Sequence, residues 1–205
     1  MKKLINNIDD IVTEMTKGIV VSSNKKLKKL DDYNVVIRSN INPENVALIS
    51  GGGSGHEPAH AGYVGTGMLS AAVCGEVFTS PAPDAVLAAI KAANSKQGTL
   101  LVIKNYTGDL INFQVAEEMA QDEGLKVDHV VVNDDVALAK STTATGRRGI
   151  AGPILVHKIA GAAAEMGKDL NEVKRIAEKV IANTATMGLG LSACTVPAAG
   201  KPGFT

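Results

Sequence analysis

The sequence predicts an α/β fold, a layered and mostly parallel sheet with helices on both faces, and three observations carry that expectation. Short runs that are apolar almost throughout recur along the chain, stretches with helical apolar spacing separate them, and glycine, proline or small polar residues mark the joins. A strand wet on one face alternates apolar with polar residues. Runs such as Val46-Ala47-Leu48-Ile49 suit instead a sheet covered on both sides.

Leu4, Ile8, Ile11, Val12, Met15 and Ile19 recur at helical spacing and predict a first amphipathic helix ending near Gly18 or shortly after. The lysine-rich stretch that follows reads as a solvated connector. Strands are expected at residues 35–38, 46–49, 69–73, 99–103, 127–132 and 189–195. Helices are expected between them at 84–93, 110–123, 154–166 and 170–187, the last with Asp169 and Glu172 as a capping pair and Gly188 as its stop.

With 205 residues the chain can bury a substantial core, and no Pro/Ser-rich linker or charge block divides it, so one domain over residues 1–205 is expected. Its 21 basic residues balance 21 acidic ones, tryptophan is absent and only 3% of residues are aromatic. That composition offers neither a phosphate-tracking face nor a base-stacking platform, which argues against nucleic acid as a direct partner. Met1-Lys2-Lys3 has the charge of a leader, but Asn6, Asn7, Asp9 and Asp10 interrupt what would have to be its apolar stretch. No later uncharged run escapes glycine and proline, so no membrane span and a cytoplasmic location are expected. Cys74 and Cys194 are isolated, without CxxC spacing; they read as buried small apolar residues rather than zinc ligands or a disulfide framework.

Chemistry concentrates after the second strand, in Ser50-Gly51-Gly52-Gly53-Ser54-Gly55-His56-Glu57-Pro58. A strand feeding a glycine loop and then a helix start exposes backbone N–H groups able to hold a polar small molecule. Pro58 suits the first turn of a helix, which would put His56 at that helix's N-terminus, where the helix dipole lowers its pKa and keeps it a neutral base. Ligands of open parallel sheets bind beyond the carboxyl ends of the strands. The loops there are 51–57, 75–83, 104–109 and 133–149, and together they offer His56, Ser80, Lys104, Asp109, Asp134, Asp135, Arg147 and Arg148.

Each candidate has a plainer reading. Asp109, before Leu110-Ile111-Asn112, is an N-cap or a proton handler, and the two roles are compatible. Lys104 is a solvated strand-end lysine or a group that orients a substrate oxygen. Ser80, beside Pro81 and Pro83, supplies turn chemistry or a substrate contact. Arg147 and Arg148 read as a solvated loop pair, His129 as structural, and His157 as packing or a surface position. His56-Glu57-Pro58-Ala59-His60 matches the H-E-x-x-H zinc pattern in letters, but Pro58 puts His56 outside the helix that motif needs, so no metal site is expected. No lysine followed by serine or threonine closes a P-loop.

The residues from Met1 to Asn6, the 51–58 loop, Gly75-Glu76-Val77-Phe78-Thr79-Ser80-Pro81, Lys104 to Asp109, Gly146-Arg147-Arg148-Gly149 and Cys194 to Pro202 resemble the substrate-binding K subunit of dihydroxyacetone kinases. The resemblance implies a dihydroxyacetone site formed by Gly53, Ser54, Gly55, His56, Lys104 and Asp109, with Ser80 as a further contact. It also implies a homodimer, no cofactor in this chain, and a phosphoryl donor held elsewhere: an L-type subunit carrying ADP and magnesium, recharged from phosphoenolpyruvate through an M-type phosphoryl carrier. The family further holds the ketone as a hemiaminal on a second histidine. None of His56, His60, His129 and His157 matches it, so the chain is expected to be a shortened form of a longer subunit, inactive alone; a naturally short member with altered function is the alternative. Phosphoryl transfer asks the acceptor side for positioning and removal of a hydroxyl proton, tasks that fall to His56 and Asp109. Some relatives bind dihydroxyacetone as transcriptional coactivators, and a sensor of that kind is the alternative; retention of both proton-handling groups favours the kinase.

Overall fold

The computed structural model describes residues 3–93, 95–138 and 146–202. Among the described residues, six strands form one sheet in the order β1-β2-β4-β3-β5-β6: β1 Leu27–Lys29, β2 Val35–Arg38, β3 Ala47–Ser54, β4 Ala71–Val77, β5 Thr99–Lys104 and β6 Val127–Val132. β4, β3, β5 and β6 run parallel, and β1 and β2 extend the sheet antiparallel at one edge. The helices are α1 Ile11–Ser22, α2 Pro83–Ala93, α3 Thr107–Asp122, α4 Gly152–Glu165 and α5 Leu170–Ala182.

The apolar runs divide by pleat. Val35, Ile37, Ile49, Val73, Leu101 and Ile103 face α2 and α3, where Val86, Ile90 and Phe113 are buried against them. Val36, Leu48, Ala72, Leu100, Val102 and Val130 face the other way, against Val156 and Ala160 of α4 and Val173 and Ala177 of α5. Two faces, each with its own apolar layer, are what an almost uninterrupted apolar strand requires. The last helix starts as expected: Asp169 Oδ1 accepts from the Glu172 N–H at 2.9 Å.

The connections place the crevice. The segment after β3 crosses to the α4/α5 face, where Ala61, Val64 and Leu69 are buried, whereas α3, after the adjacent strand β5, packs on the opposite face through Phe113 and Ala116. Neighbouring parallel strands whose connections part to opposite faces leave a gap beyond their carboxyl ends. His56 follows β3, and Lys104 ends β5.

Several expectations are corrected. The first α-helix ends at Ser22, shortly after Gly18 as expected, but begins at Ile11 rather than Leu4; before it, Asn7 caps a short 3-10 turn, and Leu4 is fully exposed. The lysine-rich connector contains β1, which gains a hydrogen-bonded partner in β2. α5 stops at Ala182, where Thr184 Oγ1 bonds back to the Val180 carbonyl, and the following chain turns to Asp134 and Asp135 through Thr186 rather than reaching Gly188 as helix. Residues 189–195 form no strand: Leu189 and Leu191 are 86% and 95% exposed, and the stretch has only an isolated bridge, Thr195 to Pro202. Apolar letters do not make a strand without a neighbour to complete its ladder. Cys194 is exposed, contrary to its reading as a buried residue, whereas Cys74 is part-buried and packs against the apolar layer under α4 and α5.

Candidate active site

The glycine segment is strand rather than loop. Gly51, Gly52 and Gly53 pair with Val73, Cys74 and Gly75 as the end of β3. Glycine is required there by close approach: a Cβ on Gly53 would lie 2.5 Å from the Thr79 nitrogen, and one on Gly52, whose φ is +152°, would lie 2.5 Å from Lys104 Nζ. The expected cradle of free N–H groups is corrected at Gly55, whose N–H is taken by the Glu57 carboxylate at 3.1 and 3.2 Å. Ser54 is buried, and its hydroxyl donates to the Gly75 carbonyl at 2.7 Å, locking β3 to β4.

No helix begins at Pro58. Residues 57–60 form turns, followed by a short 3-10 turn over Ala61–Tyr63. His56 is therefore not at a helix N-terminus, and the helical frame of a zinc motif is missing as well. The imidazole stands at the rim of a cavity of about 310 Å³, whose walls include His60, Tyr63, Lys104, Tyr106, Ile150 and Pro153.

Lys104, the last residue of β5, joins the groups that sequence had separated. Its Nζ lies 3.1 Å from His56 Nε2 and 3.7 Å from Asp109 Oδ2, and its side chain and that of Asp109 are 9% and 4% exposed. Asp109 is the third residue of α3, whose N-cap is Tyr106, so it is not the cap. Its other oxygen accepts a hydrogen bond from Ser80 Oγ. An ammonium has only protons to give, so His56 Nε2 accepts from Lys104, and the neutral imidazole carries its proton on Nδ1.

His56 has a lowered pKa, as expected, but from a different cause: partial burial first, then the positive charge of Lys104. Burial also lowers the pKa of Lys104, against the opposing pull of Asp109. Tyr106, with its ring 5.5 Å from the ammonium, adds a weak cation–π contact and has its own phenol pKa raised by burial.

Of the predicted site residues, His56 and Lys104 line the cavity, Asp109 and Ser80 stand behind Lys104, and Gly53, Ser54 and Gly55 deliver His56 without forming the wall. Sequence reasoning missed His60, Tyr63, Tyr106 and the wall at 149–151. Arg147 and Arg148 are exposed, as expected, but Arg148 also has a partner: its Nη2 and Nε donate to Asp135 Oδ2 at 2.8 and 3.0 Å, and that fully buried carboxylate anchors the segment. Asp134 holds the same wall by accepting from the N–H groups of Ile150 and Gly152. Larger surface depressions exist beside Phe78 and beside Arg38, but the first offers acids without a cation and the second cations without an acid.

The comparisons with known proteins agree with this architecture. The Dak1 domain family matches residues 17–205. A protein of Listeria innocua named PTS-dependent dihydroxyacetone kinase 1, dihydroxyacetone-binding subunit DhaK, is 54% identical over 204 residues, covering 100% of this chain and 62% of the relative. The dihydroxyacetone-binding subunit DhaK of the PEP-dependent dihydroxyacetone kinase of Escherichia coli is 46% identical over 205 residues, 100% of this chain and 58% of that one. The chain thus spans about three fifths of these relatives. Among solved structures, the C. freundii dihydroxyacetone kinase in complex with AMP-PNP and Mg²⁺ superposes with a TM-score of 0.91 at 46% identity, covering 96% of this chain and 37% of that one. The dihydroxyacetone kinase operon co-activator Dha-DhaQ superposes with a TM-score of 0.88 at 38% identity, covering 98% of this chain and 60% of that one. By a family match over nearly its whole length, and by these identities on a shared fold, the chain belongs to the Dak1 domain family.

Proposed function

We propose that this chain binds dihydroxyacetone and presents one of its hydroxyls for phosphorylation to dihydroxyacetone phosphate, within a phosphoenolpyruvate-dependent kinase. The observation that carries the reading is the convergence of His56, Lys104, Asp109 and Ser80 beyond the carboxyl ends of β3, β4 and β5. A triose hydroxyl entering between Lys104 and His56 replaces the ammonium as donor to Nε2. The base is then aligned with the proton it removes as the in-line bond forms. Lys104 stays near Asp109 and offsets the charge of the incoming phosphoryl group. Asp109 is the second acid–base group, its Oδ1 available once the triose displaces the Ser80 hydroxyl.

Within the same reading, ADP and magnesium belong to an L-type partner and phosphoenolpyruvate reaches it through an M-type phosphoryl carrier. The chain works as a homodimer in the cytoplasm, and no helix among the described residues is long and apolar enough to cross a membrane. The likeness to the operon co-activator supports a second reading, a dihydroxyacetone sensor without transfer. Mixing the full-length protein with L-type and M-type subunits and phosphoenolpyruvate separates the two. Dihydroxyacetone-dependent phosphate transfer supports the kinase, binding without transfer supports the sensor, and no binding refutes both.

A further inference from the structure

Beside His56, at the cavity wall, lies a second imidazole that the proposed chemistry leaves unused. His60 is 5% exposed, and its ring meets that of His56 edge-to-face with centroids 5.7 Å apart. Its Nδ1 lies 3.0 Å from Nε2 of the fully buried His157 and 3.5 Å from Ser50 Oγ. Its Nε2 is buried with no hydrogen-bond partner among the described residues.

The neighbours fix the tautomer. Ser50 Oγ lies 2.6 Å from the Val102 carbonyl, which can only accept, so the Ser50 proton is spent and its oxygen offers lone pairs. A proton on His60 Nδ1 then faces the Ser50 oxygen, and His157 Nε2 accepts from it when His157 carries its own proton on Nδ1; the opposite His60 tautomer would set a lone pair against that oxygen. Burial keeps both rings neutral. His60 Nε2 is therefore a buried bare acceptor on a residue that lines the cavity, and a buried acceptor left unpaired is costly.

We infer that His60 Nε2 accepts a hydrogen bond from the hydroxyl of the triose that is not phosphorylated, so that two imidazoles of one cavity hold the two ends of the substrate. The assignment rests on the dihydroxyacetone reading above. It makes His60 a specificity residue: a ketone lacking the second hydroxyl cannot pair Nε2.

The test compares dihydroxyacetone with hydroxyacetone by calorimetry on the intact protein, His60→Phe and His60→Gln. Phenylalanine keeps a ring without nitrogen; glutamine restores an acceptor near the Nε2 position. The wild type should prefer dihydroxyacetone by roughly tenfold, the gain expected for one satisfied buried acceptor. His60→Phe should lose most of that preference with little change toward hydroxyacetone, and His60→Gln should regain part of it. Saturating dihydroxyacetone should also shift the wild-type His60 Nε2 nitrogen resonance, a readout independent of how the variants fold. An unchanged preference in folded His60→Phe, or an unmoved resonance in a saturated complex, overturns the role of His60 while leaving the triose site standing. A wild type that binds neither ketone overturns both.

Discussion

Replacing Lys104 by methionine keeps much of the stem's volume and removes the charge that joins the site. Asp109, almost fully buried, would keep its Ser80 bond but lose its cation, and His56 Nε2 would lose its donor. Breaking a buried pair by removing one partner costs roughly 3–5 kcal/mol, and at 3.7 Å with one hydrogen bond retained the low end applies, about 3 kcal/mol. For a chain of this size that corresponds to a melting temperature lower by about 6–12 °C. The stranded carboxylate causes most of the loss, so Lys104→Met in an Asp109→Asn background should cost only about 1 kcal/mol. Urea denaturation of the four proteins at pH 7 measures the cycle, and a coupling of about 2 kcal/mol is expected. In parallel, the His56 pKa should rise in Lys104→Met, because the second of its two depressing causes is gone while burial remains. A cost equal in both backgrounds, with the His56 titration unmoved, would refute the idea that Lys104 links the two groups.

Acid should weaken the fold through its buried imidazoles. The pKa of His157 is pushed down from 6.5 to about 3 by burial, so below pH 6.5 the unfolded chain takes up a proton that the folded one refuses. Stability should fall by about 1.4 kcal/mol per pH unit between those two values, and His157→Phe should flatten the slope in denaturation series across pH. His129 has the opposite sign: Glu117, 2.6 Å from Nδ1, raises its pKa, so its contribution is present below pH 6.5 and disappears as pH rises through the raised value. Glu117→Gln should remove that component, seen as a smaller gap between stabilities at pH 6 and pH 8. Gly53→Ala forces a Cβ to within 2.5 Å of the Thr79 backbone and should cost about 1–3 kcal/mol in thermal melts, with weaker triose binding because the same strand end delivers His56. His56→Asn should lower the rate of phosphate transfer in the reconstituted kinase by roughly 10²–10⁴ with a much smaller change in KM.

The fold was legible where a run of residues carries its own signal. β2 and β6 have the bounds that their β-branched runs predict, and α2 to α4 begin or end within a few residues of the positions that apolar spacing indicates. What failed depends on partners that sequence does not display. β1 exists because β2 is beside it; residues 189–195 are apolar but have no neighbour to pair with. The triple glycine looked like a loop because glycine usually marks one, yet here it lets Thr79 and Lys104 approach the backbone of a strand.

The site followed the same rule. Topology made the carboxyl ends of β3 and β5 the place to look, and His56, Lys104, Asp109 and Ser80 do meet there. The role of Lys104 as the bridge was hidden, because a lysine at a strand end usually reaches solvent and only its burial beside a carboxylate changes that. His60 and His157 are 97 positions apart, and no local pattern announces that their rings touch.

A structure determined with dihydroxyacetone bound tests the central claim most directly. The account predicts the triose in the cavity between His56, Lys104 and Tyr106, with one hydroxyl within about 3.2 Å of His56 Nε2 and Lys104 retained near Asp109. A triose bound in another depression, with His56 Nε2 still held by Lys104, would contradict it.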